Sequence, residues 1–329
     1  MQQKFNIGVI GCGKIAQTRH IPELYEHPDV HLFALCDTKA ARAAEIASTY
    51  HVPHLYESIQ PMLAHPQLDG VIICTPNQFH ATHSMHSLQA GKHVLLEKPM
   101  ATTMEDCERM VKEAKKQNKI FLVAHNQRLH PVYQKAKEIL QSDIIGNITQ
   151  FTTNFHHGGP EHWSIEGEDS WFLREKFAYF GVLGDLGIHK IDIIHWLLED
   201  EMEQVSTYTH HQREQVEVED NAVIIAKMKK GAIGSISVSW SNPLQDHRTV
   251  FYGTKGNLIF GESMNSLRIH LHDGQVIEEQ VNLAIRQDQG LHSGVVDQFI
   301  QCMKQESYEQ AECSGESALS TMKTLLSLT

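Results

Sequence analysis

The stretch FNIGVIGCGKIA, residues 5–16, constrains this chain more than any other. An apolar run of strand length leads straight into G-x-G-x-x-A and then into a segment of helical character that ends near His27. Gly11 permits a tight turn, Gly13 lets the backbone approach a pyrophosphate, and Ala16 keeps the helix close to the strand. The amides at the helix start, including those of Lys14 and Ile15, are then placed to hold phosphates. The next strand-like run, VHLFALCD, ends at Asp37, about 20 residues beyond the turn, where a dinucleotide fold places the acid that binds the adenosine ribose hydroxyls. Asp37 favours NAD. A 2′-phosphate would meet that carboxylate unfavourably, although Lys39 and Arg42 follow closely enough to keep NADP open.

The alternation continues: a helix over about 40–50, a short strand near His54, a helix after Ser58, then the strands LDGVIICTP, KHVLLEKP and IFLVAHNQR with helices between them. Strands alternating with helices predict a parallel, doubly wound sheet, whose ligands bind beyond the carboxyl ends of the strands. Those ends carry Cys74, Thr75, Pro76 and Asn77, then Glu97, Lys98 and Pro99, then His125, Asn126 and Arg128. After Pro131 the periodicity changes. A helix to Gln141, the strand ITQFTTNFHH, a glycine-rich and acidic loop over 158–170 and several strand-like runs between Val205 and Val281 predict an open, mostly antiparallel sheet. The expected fold is α/β: a Rossmann domain over 1–124 and an α+β domain over 125–329.

The composition of the 329 residues, 41% hydrophobic and 21% charged, is that of an ordinary globular protein. A net charge of -12 with no basic block excludes nucleic acid and anionic membrane as primary partners. The N-terminal residues show no signal-peptide pattern and no apolar stretch approaches the ~20 residues of a membrane span, so a cytoplasmic protein is expected. Six cysteines form no CxxC pair, and three of them close predicted strands, where free cysteine is usually a small buried hydrophobe. His80, His83 and His86 share a helical segment, but no carboxylate or cysteine set completes a site, and no metal is expected.

The segment GDLGIHKIDIIHWLL raises the sharpest functional question. At about 100° per residue, Asp185, His189 and Asp192 form one narrow stripe on a helix that is otherwise apolar. A solvated face is the plain reading of three polar residues at this spacing.

With these residues in view, the chain resembles the glucose–fructose oxidoreductase, inositol dehydrogenase and rhizopine-catabolism (Gfo/Idh/MocA) family of NAD(P)-dependent dehydrogenases. The resemblance is carried by GCGKIA, by CTPNQFH with AGKHVLLEKPM behind it, by HNQRLHP and by VLGDLGIHKID. It implies that Lys98, Asp185 and His189 form the catalytic group, with Asp192 an acid in contact with substrate. It also implies a nicotinamide between the two domains, with Thr75, Asn77, His80, Glu97 and Asn126 near the cofactor and Arg128 and Trp171 near the substrate. The sheet of the second domain is implied to pack against another subunit, giving a homo-dimer or homo-tetramer. Two departures concern the shape of the substrate pocket: Gly184 stands where leucine is common, and Tyr179 and Phe180 replace glycines.

Oxidising an alcohol by hydride transfer needs a base for the hydroxyl proton and a group that stabilises the developing carbonyl oxygen. His189, of a residue type that titrates near ~6.5, suits the first task; Lys98 suits the second, and Asp185 can orient the imidazole. The expected activity is an NAD(P)-dependent dehydrogenase acting on a sugar, cyclitol or related polyol. Trp171, His156, His157 and Glu161 are candidates for the polyol pocket, and His-His before Gly-Gly reads equally well as a plain loop. Two alternatives use the same fold: a glycoside hydrolase that retains NAD, and a non-catalytic sugar and nucleotide sensor.

Overall fold

In the first of two compact units, parallel strands buried on both faces make the core. The computed structural model describes residues 4–329. The first unit comprises the chain up to Asn126 together with Ile285–Leu319, and the second comprises Gln127–Ala284 with Ser320–Thr329.

Strands β1 (Phe5–Ile10), β2 (Val30–Cys36), β3 (His54–Tyr56), β4 (Gly70–Ile73), β5 (His93–Leu96) and β6 (Phe121–Val123) form one parallel sheet in the order 3-2-1-4-5-6. That is the doubly wound order, with its switch point between β1 and β4. Helices α1 (Ile21–Glu26), α2 (Ala40–Tyr50), α3 (Ile59–Leu63), α4 (His80–Gln89) and α5 (Met104–Gln117) connect the strands. Every residue of β4 is buried, as expected of a strand covered on both sides. The helix after the glycine turn does not begin as an ordinary α-helix: Ala16–His20 forms a π-helical turn. Such turns are rare and concentrate at functional sites.

The second unit opens with α6 (Pro131–Gln141) and β7 (Ile148–His156), followed by α7 (Glu175–Ala178) and α8 (Ile188–Leu198). Strands β8 (Met202–His210), β9 (Asn221–Met228), β10 (Ile233–Ser239), β11 (Thr249–Gly253), β12 (Gly256–Phe260), β13 (Ser266–Leu271) and β14 (Val276–Gln280) join β7 in an eight-stranded sheet of order 14-13-12-11-7-10-9-8. Only β7 and β10 pair in parallel; the other neighbours are antiparallel. In β9 the side chains alternate strictly, with Ala222, Ile224, Ala226 and Met228 buried and Val223, Ile225 and Lys227 facing out. One face is therefore core, against which α8 and α6 pack, and the other is open.

The chain then returns to the first unit, contrary to the expected boundary at 124, which assigns everything later to the second domain. Residues 313–315 pair with the free edge of β6, where Val123 N donates to Cys313 O at 2.9 Å and Gly315 N to Phe121 O at 2.9 Å. Covering an open strand edge is the physical reason for the return. Ahead of α9 (Val295–Gln305), Arg286 donates to Thr18 O at 2.7 Å, and Ser293 donates to the buried Glu23 carboxylate at 2.7 and 2.8 Å. This segment clamps the helix that follows the glycine turn. The last helix, α10 (Leu319–Leu326), belongs almost wholly to the second unit. All six cysteines are free and buried; burial pushes the Cys12, Cys36 and Cys107 thiols up to about 12, so they serve as packing groups. Among the described residues no helix is long and apolar enough to cross a membrane.

Candidate active site

In the first unit the carboxyl ends of the strands converge as the glycine turn requires. Gly11 has φ +88°, and a Cβ there would lie 2.8 Å from the Cys74 carbonyl, so only glycine fits. A Cβ on Gly13 would meet nothing within 4 Å, which leaves open space directly over the amides that precede the π turn. Asp37 accepts from Cys12 N at 2.8 Å and Lys39 N at 2.7 Å, with Arg42 3.8 Å away. Its carboxylate is thereby fixed beside the turn, with lone pairs remaining for ribose hydroxyls. Asn126 opens a short 3-10 turn, and its Oδ1 is a buried acceptor that no donor among the described residues satisfies. Open space, an oriented carboxylate and an orphaned acceptor fit a dinucleotide at this end of the sheet.

Other residues expected near the cofactor are engaged with the protein. The His80 ring nitrogens lie 2.6 Å from Pro99 O and 2.8 Å from Thr75 O, so this buried ring ties the end of β4 to the end of β5. Burial lowers its pKa against those two carbonyl contacts. Glu97 lies 2.7 Å from His20 Nε2 and 3.6 Å from Arg19, and also accepts from Lys98 N at 3.2 Å. Burial opposes its charge, but His20, Arg19 and Lys98 outweigh that and hold the carboxyl at about 2. A fixed anion thus lies immediately beneath the half-buried Lys98. Asn77 is buried at the start of another 3-10 turn. Nothing in the sequence singled out His20, because its partner is 77 residues away.

In the second unit the polar stripe is not a solvated face. Asp185 and Asp192 are buried, and His189 is half-buried. Asp185 lies in a second π-helical turn, Leu183–Gly187, which precedes α8, and accepts from the Trp240 indole at 3.1 Å. Glu219 Oε1 accepts from Gly181 N at 2.9 Å and Leu183 N at 3.0 Å, capping the start of that turn. Asp192 is bound bidentately by Arg128, at 2.8 and 2.6 Å, and by Thr321 Oγ1 at 2.9 Å. Both charged groups expected at the substrate therefore hold each other inside the unit. Trp171 stacks on Phe172 at 3.8 Å. His156 lies on the open face of the sheet, 2.9 Å from Ser237 Oγ, and Glu161 is ion-paired with Arg213, so neither extends a pocket with His189. Beside His189 stands the Phe155 ring, 6.0 Å away.

Lys190 follows His189 and was not anticipated as a site residue. It is fully buried, 3.4 Å from the Tyr133 hydroxyl, with the Phe155 and Tyr133 rings 5.6 and 5.8 Å from its ammonium. Burial pushes it down to about 7, opposed by Asp246. Among the described residues no group of three or more His, Cys, Asp or Glu side chains is arranged to hold a metal ion.

Two family models match this chain: the oxidoreductase family with NAD-binding Rossmann fold over residues 5–125, and the GFO/IDH/MocA C-terminal domain over residues 133–259. The chain belongs to this family. A myo-inositol 2-dehydrogenase of Thermotoga maritima is 27% identical over 277 residues, covering 82% of this chain and 78% of the relative. A levoglucosan dehydrogenase of Pseudarthrobacter phenanthrenivorans is 25% identical, covering 78% and 74%. Among solved structures, the aldose-aldose oxidoreductase of Caulobacter crescentus superposes with a TM-score of 0.86 at 22% identity over 99% of this chain and 96% of that one. The WlbA dehydrogenase of Bordetella pertussis, in complex with NADH and UDP-GlcNAcA, gives 0.83 at 25% identity over 99% and 95%. This Gfo/Idh/MocA protein is thus an NAD(P)-dependent oxidoreductase whose first unit contains the family's NAD-binding domain.

Proposed function

We propose that this protein oxidises or reduces a CH–OH carbon of a sugar, cyclitol or related polyol, with His189 as proton acceptor, Lys98 as the cation beside the reacting oxygen and Asp185 as the group that orients His189. The observation that carries this reading is the placing of Asp185 and His189: a buried carboxylate in the π turn and a half-buried imidazole on the mostly apolar, mostly buried helix that follows it. Ionisable groups are kept in such surroundings at a cost, which a chemical role explains. The relatives named as myo-inositol and levoglucosan dehydrogenases support the substrate class.

Gly11 and Gly13, the Lys14 and Ile15 amides and Asp37 are assigned to the dinucleotide, with Asn77 and Asn126 further along the same strand ends. Thr75, His80 and Glu97 support that surface through the contacts described. The bound nicotinamide supplies the hydride acceptor or donor. In the oxidative direction His189 takes the hydroxyl proton, and the imidazolium so formed lies one turn from the Asp185 carboxylate, which stabilises it. Trp240 fixes that carboxylate from behind through its indole N–H. Lys98, beside Glu97, is assigned to polarise the alcohol oxygen and stabilise its developing charge. Reduction follows the same path with the proton returning from His189.

The test is a panel of polyols and sugars offered with NAD and with NADP while the reduced nicotinamide is followed by absorbance. Net NADH or NADPH formation supports the reading. Release of an aglycone without reduced cofactor overturns it in favour of a hydrolase, and saturable sugar binding without turnover overturns it in favour of a sensor.

A further inference from the structure

In the first unit, three consecutive carbonyls of the glycine turn are held from the π turn that follows it. Gln17 Nε2 donates to Cys12 O at 2.9 Å, Gln17 N to Gly13 O at 3.1 Å and Thr18 Oγ1 to Lys14 O at 2.9 Å. A peptide group is planar and trans, so a carbonyl fixed on one side sends the N–H of the next residue to the other. Gln17 and Thr18 therefore aim the amides of Gly13, Lys14 and Ile15, among them the two assigned to the dinucleotide.

Thr18 is itself held from far along the chain. In an α-helix its carbonyl would accept from the amide of residue 22, and residue 22 is proline, which has no N–H. Arg286 supplies a donor instead: its Nη2 lies 2.7 Å from Thr18 O, across 268 residues of sequence. The guanidinium is 6% exposed and arrives in a fixed pose. Its Nε and Nη2 donate to Asp288 at 3.1 and 2.9 Å and its Nη1 to Leu291 O at 3.1 Å, while Arg286 N closes the backbone onto Gly290 O at 2.8 Å. A Cβ on Gly290 would lie 2.1 Å from Nη2, so glycine there leaves the guanidinium its place. Ser293, further along the same segment, anchors to Glu23 in α1 instead.

We propose that Arg286 is a positioning residue of the dinucleotide site: it supplies the hydrogen bond that Pro22 cannot, and through Thr18 it fixes the amides that meet the pyrophosphate. The inference rests on the assignment of the dinucleotide to the glycine turn. The site is then completed only when the returning segment is in place, because the strands and helices of the first 126 residues lack this donor. A charged donor to a carbonyl is among the stronger hydrogen bonds. Amides already held in one direction bind an anion without the cost of being ordered by it. Without Arg286 the Thr18 carbonyl turns to water, and the amides ahead of it lose their fixed direction.

The experiment measures NADH affinity of the whole chain by fluorescence titration, below the onset of unfolding, and melting temperature by calorimetry. Arg286→Gln is expected to raise the NADH dissociation constant about tenfold, the worth of one charge-assisted bond. Gly290→Ala, which crowds the guanidinium and keeps its charge, is expected to do the same. In turnover the KM for NAD rises with it, and the KM for the second substrate does not. Ser293→Ala loosens the same segment without reaching the turn, and is expected to lower the melting temperature while NADH affinity stays within about twofold of the parent. Affinity within about twofold of the parent in Arg286→Gln overturns the proposal, and where that variant does not fold the same result in Gly290→Ala does so. Equal weakening by Ser293→Ala also overturns it, since the segment is then only a clamp. Gly13→Ala puts a methyl into the open space over the amides and is expected to weaken NADH about tenfold or more; unaltered affinity there, whatever Arg286→Gln does, overturns the assignment of the dinucleotide to the glycine turn.

Discussion

Replacing Asp192 separates two roles for one carboxylate. The family resemblance implies contact with substrate, whereas the structure commits both oxygens to Arg128 and one of them also to Thr321. Arg128 is 4% and Asp192 1% exposed, so removing the carboxylate strands a guanidinium in the interior. Breaking a buried pair on one side costs about 3–5 kcal/mol. In a domain of 150–250 residues each kcal/mol moves the melting temperature by roughly 2–4 °C, so Asp192→Ala is expected to lower the transition of the second unit by roughly 6–20 °C. Changing both partners, Arg128→Met with Asp192→Leu, removes both charges and is expected to recover most of that loss. Recovery stays incomplete, because the Thr321 hydroxyl loses its buried acceptor at about 1–3 kcal/mol.

The assay is differential scanning calorimetry, resolved into the transitions of the two units, alongside steady-state kinetics on a genuine substrate. A structural pair predicts a large fall in melting temperature with KM little changed at a temperature where the variant is folded. A melting temperature within about 2 °C of the parent together with a KM raised about tenfold would refute the reasoning and restore Asp192 to the substrate.

Four other outcomes are expected. His189→Ala should lower turnover by ~10²–10⁴-fold with NADH affinity nearly unchanged in a fluorescence titration, because Gly11, Gly13 and Asp37 are untouched; near-normal turnover at neutral pH would show the wrong base has been named. Asp37 should make NADH bind more tightly than NADPH, and tighter NADPH binding would mean that Lys39 or Arg42 dominates the ribose site. Glu97, held at about 2 against an ordinary 4.5, contributes stability that is present above pH 4.5 and lost as pH falls towards 2; Glu97→Gln should flatten that acid limb of the melting-temperature curve, and an unchanged limb counts against the His20–Glu97 pair as its source. The open sheet face exposes Tyr208, Val223, Ile225 and Ile233, so the protein should sediment as a dimer or tetramer at micromolar concentration and Ile225→Lys should shift it to monomer; a parent that is already monomeric ends that proposal.

The Rossmann half was legible because its signals are local. Apolar runs such as GVII, a glycine turn and an acid at the end of β2 each lie within a few residues of the feature they create. The open sheet was legible for a similar reason, since the strict alternation of NAVIIAKM marks one buried face. What the sequence concealed is pairwise and distant. Val123 meets Cys313, Asp185 meets Trp240 and Glu97 meets His20, and no periodicity in either partner announces the other. The same distance explains why Arg128 and Asp192, read separately, each looked available to a ligand, although 64 residues apart they are each other's partner.

The two departures from the family pattern are one event in the structure. A Cβ on Gly184 would lie 2.4 Å from the Phe180 Cβ, so any side chain at 180 in this backbone requires glycine a turn later, and doubt about pocket shape drawn from either alone counts the same change twice. Immediately beside them, a Cβ on Gly181 would come within 1.9 Å of Glu219 O, which keeps position 181 glycine and lets Val182 N reach that carbonyl at 2.8 Å. The Glu219 carboxylate then takes the two amides that flank that of Val182, those of Gly181 and Leu183; burial pushes its pKa up, and those backbone bonds oppose the shift. An anion at this position complements the positive end of the helix. Asp185 is thus aimed by a size exchange, a glycine contact and a glutamate 34 positions away in the chain, none of which has chemistry of its own to perform. The residues that decide where the proposed base stands are for that reason absent from any motif built on the base itself.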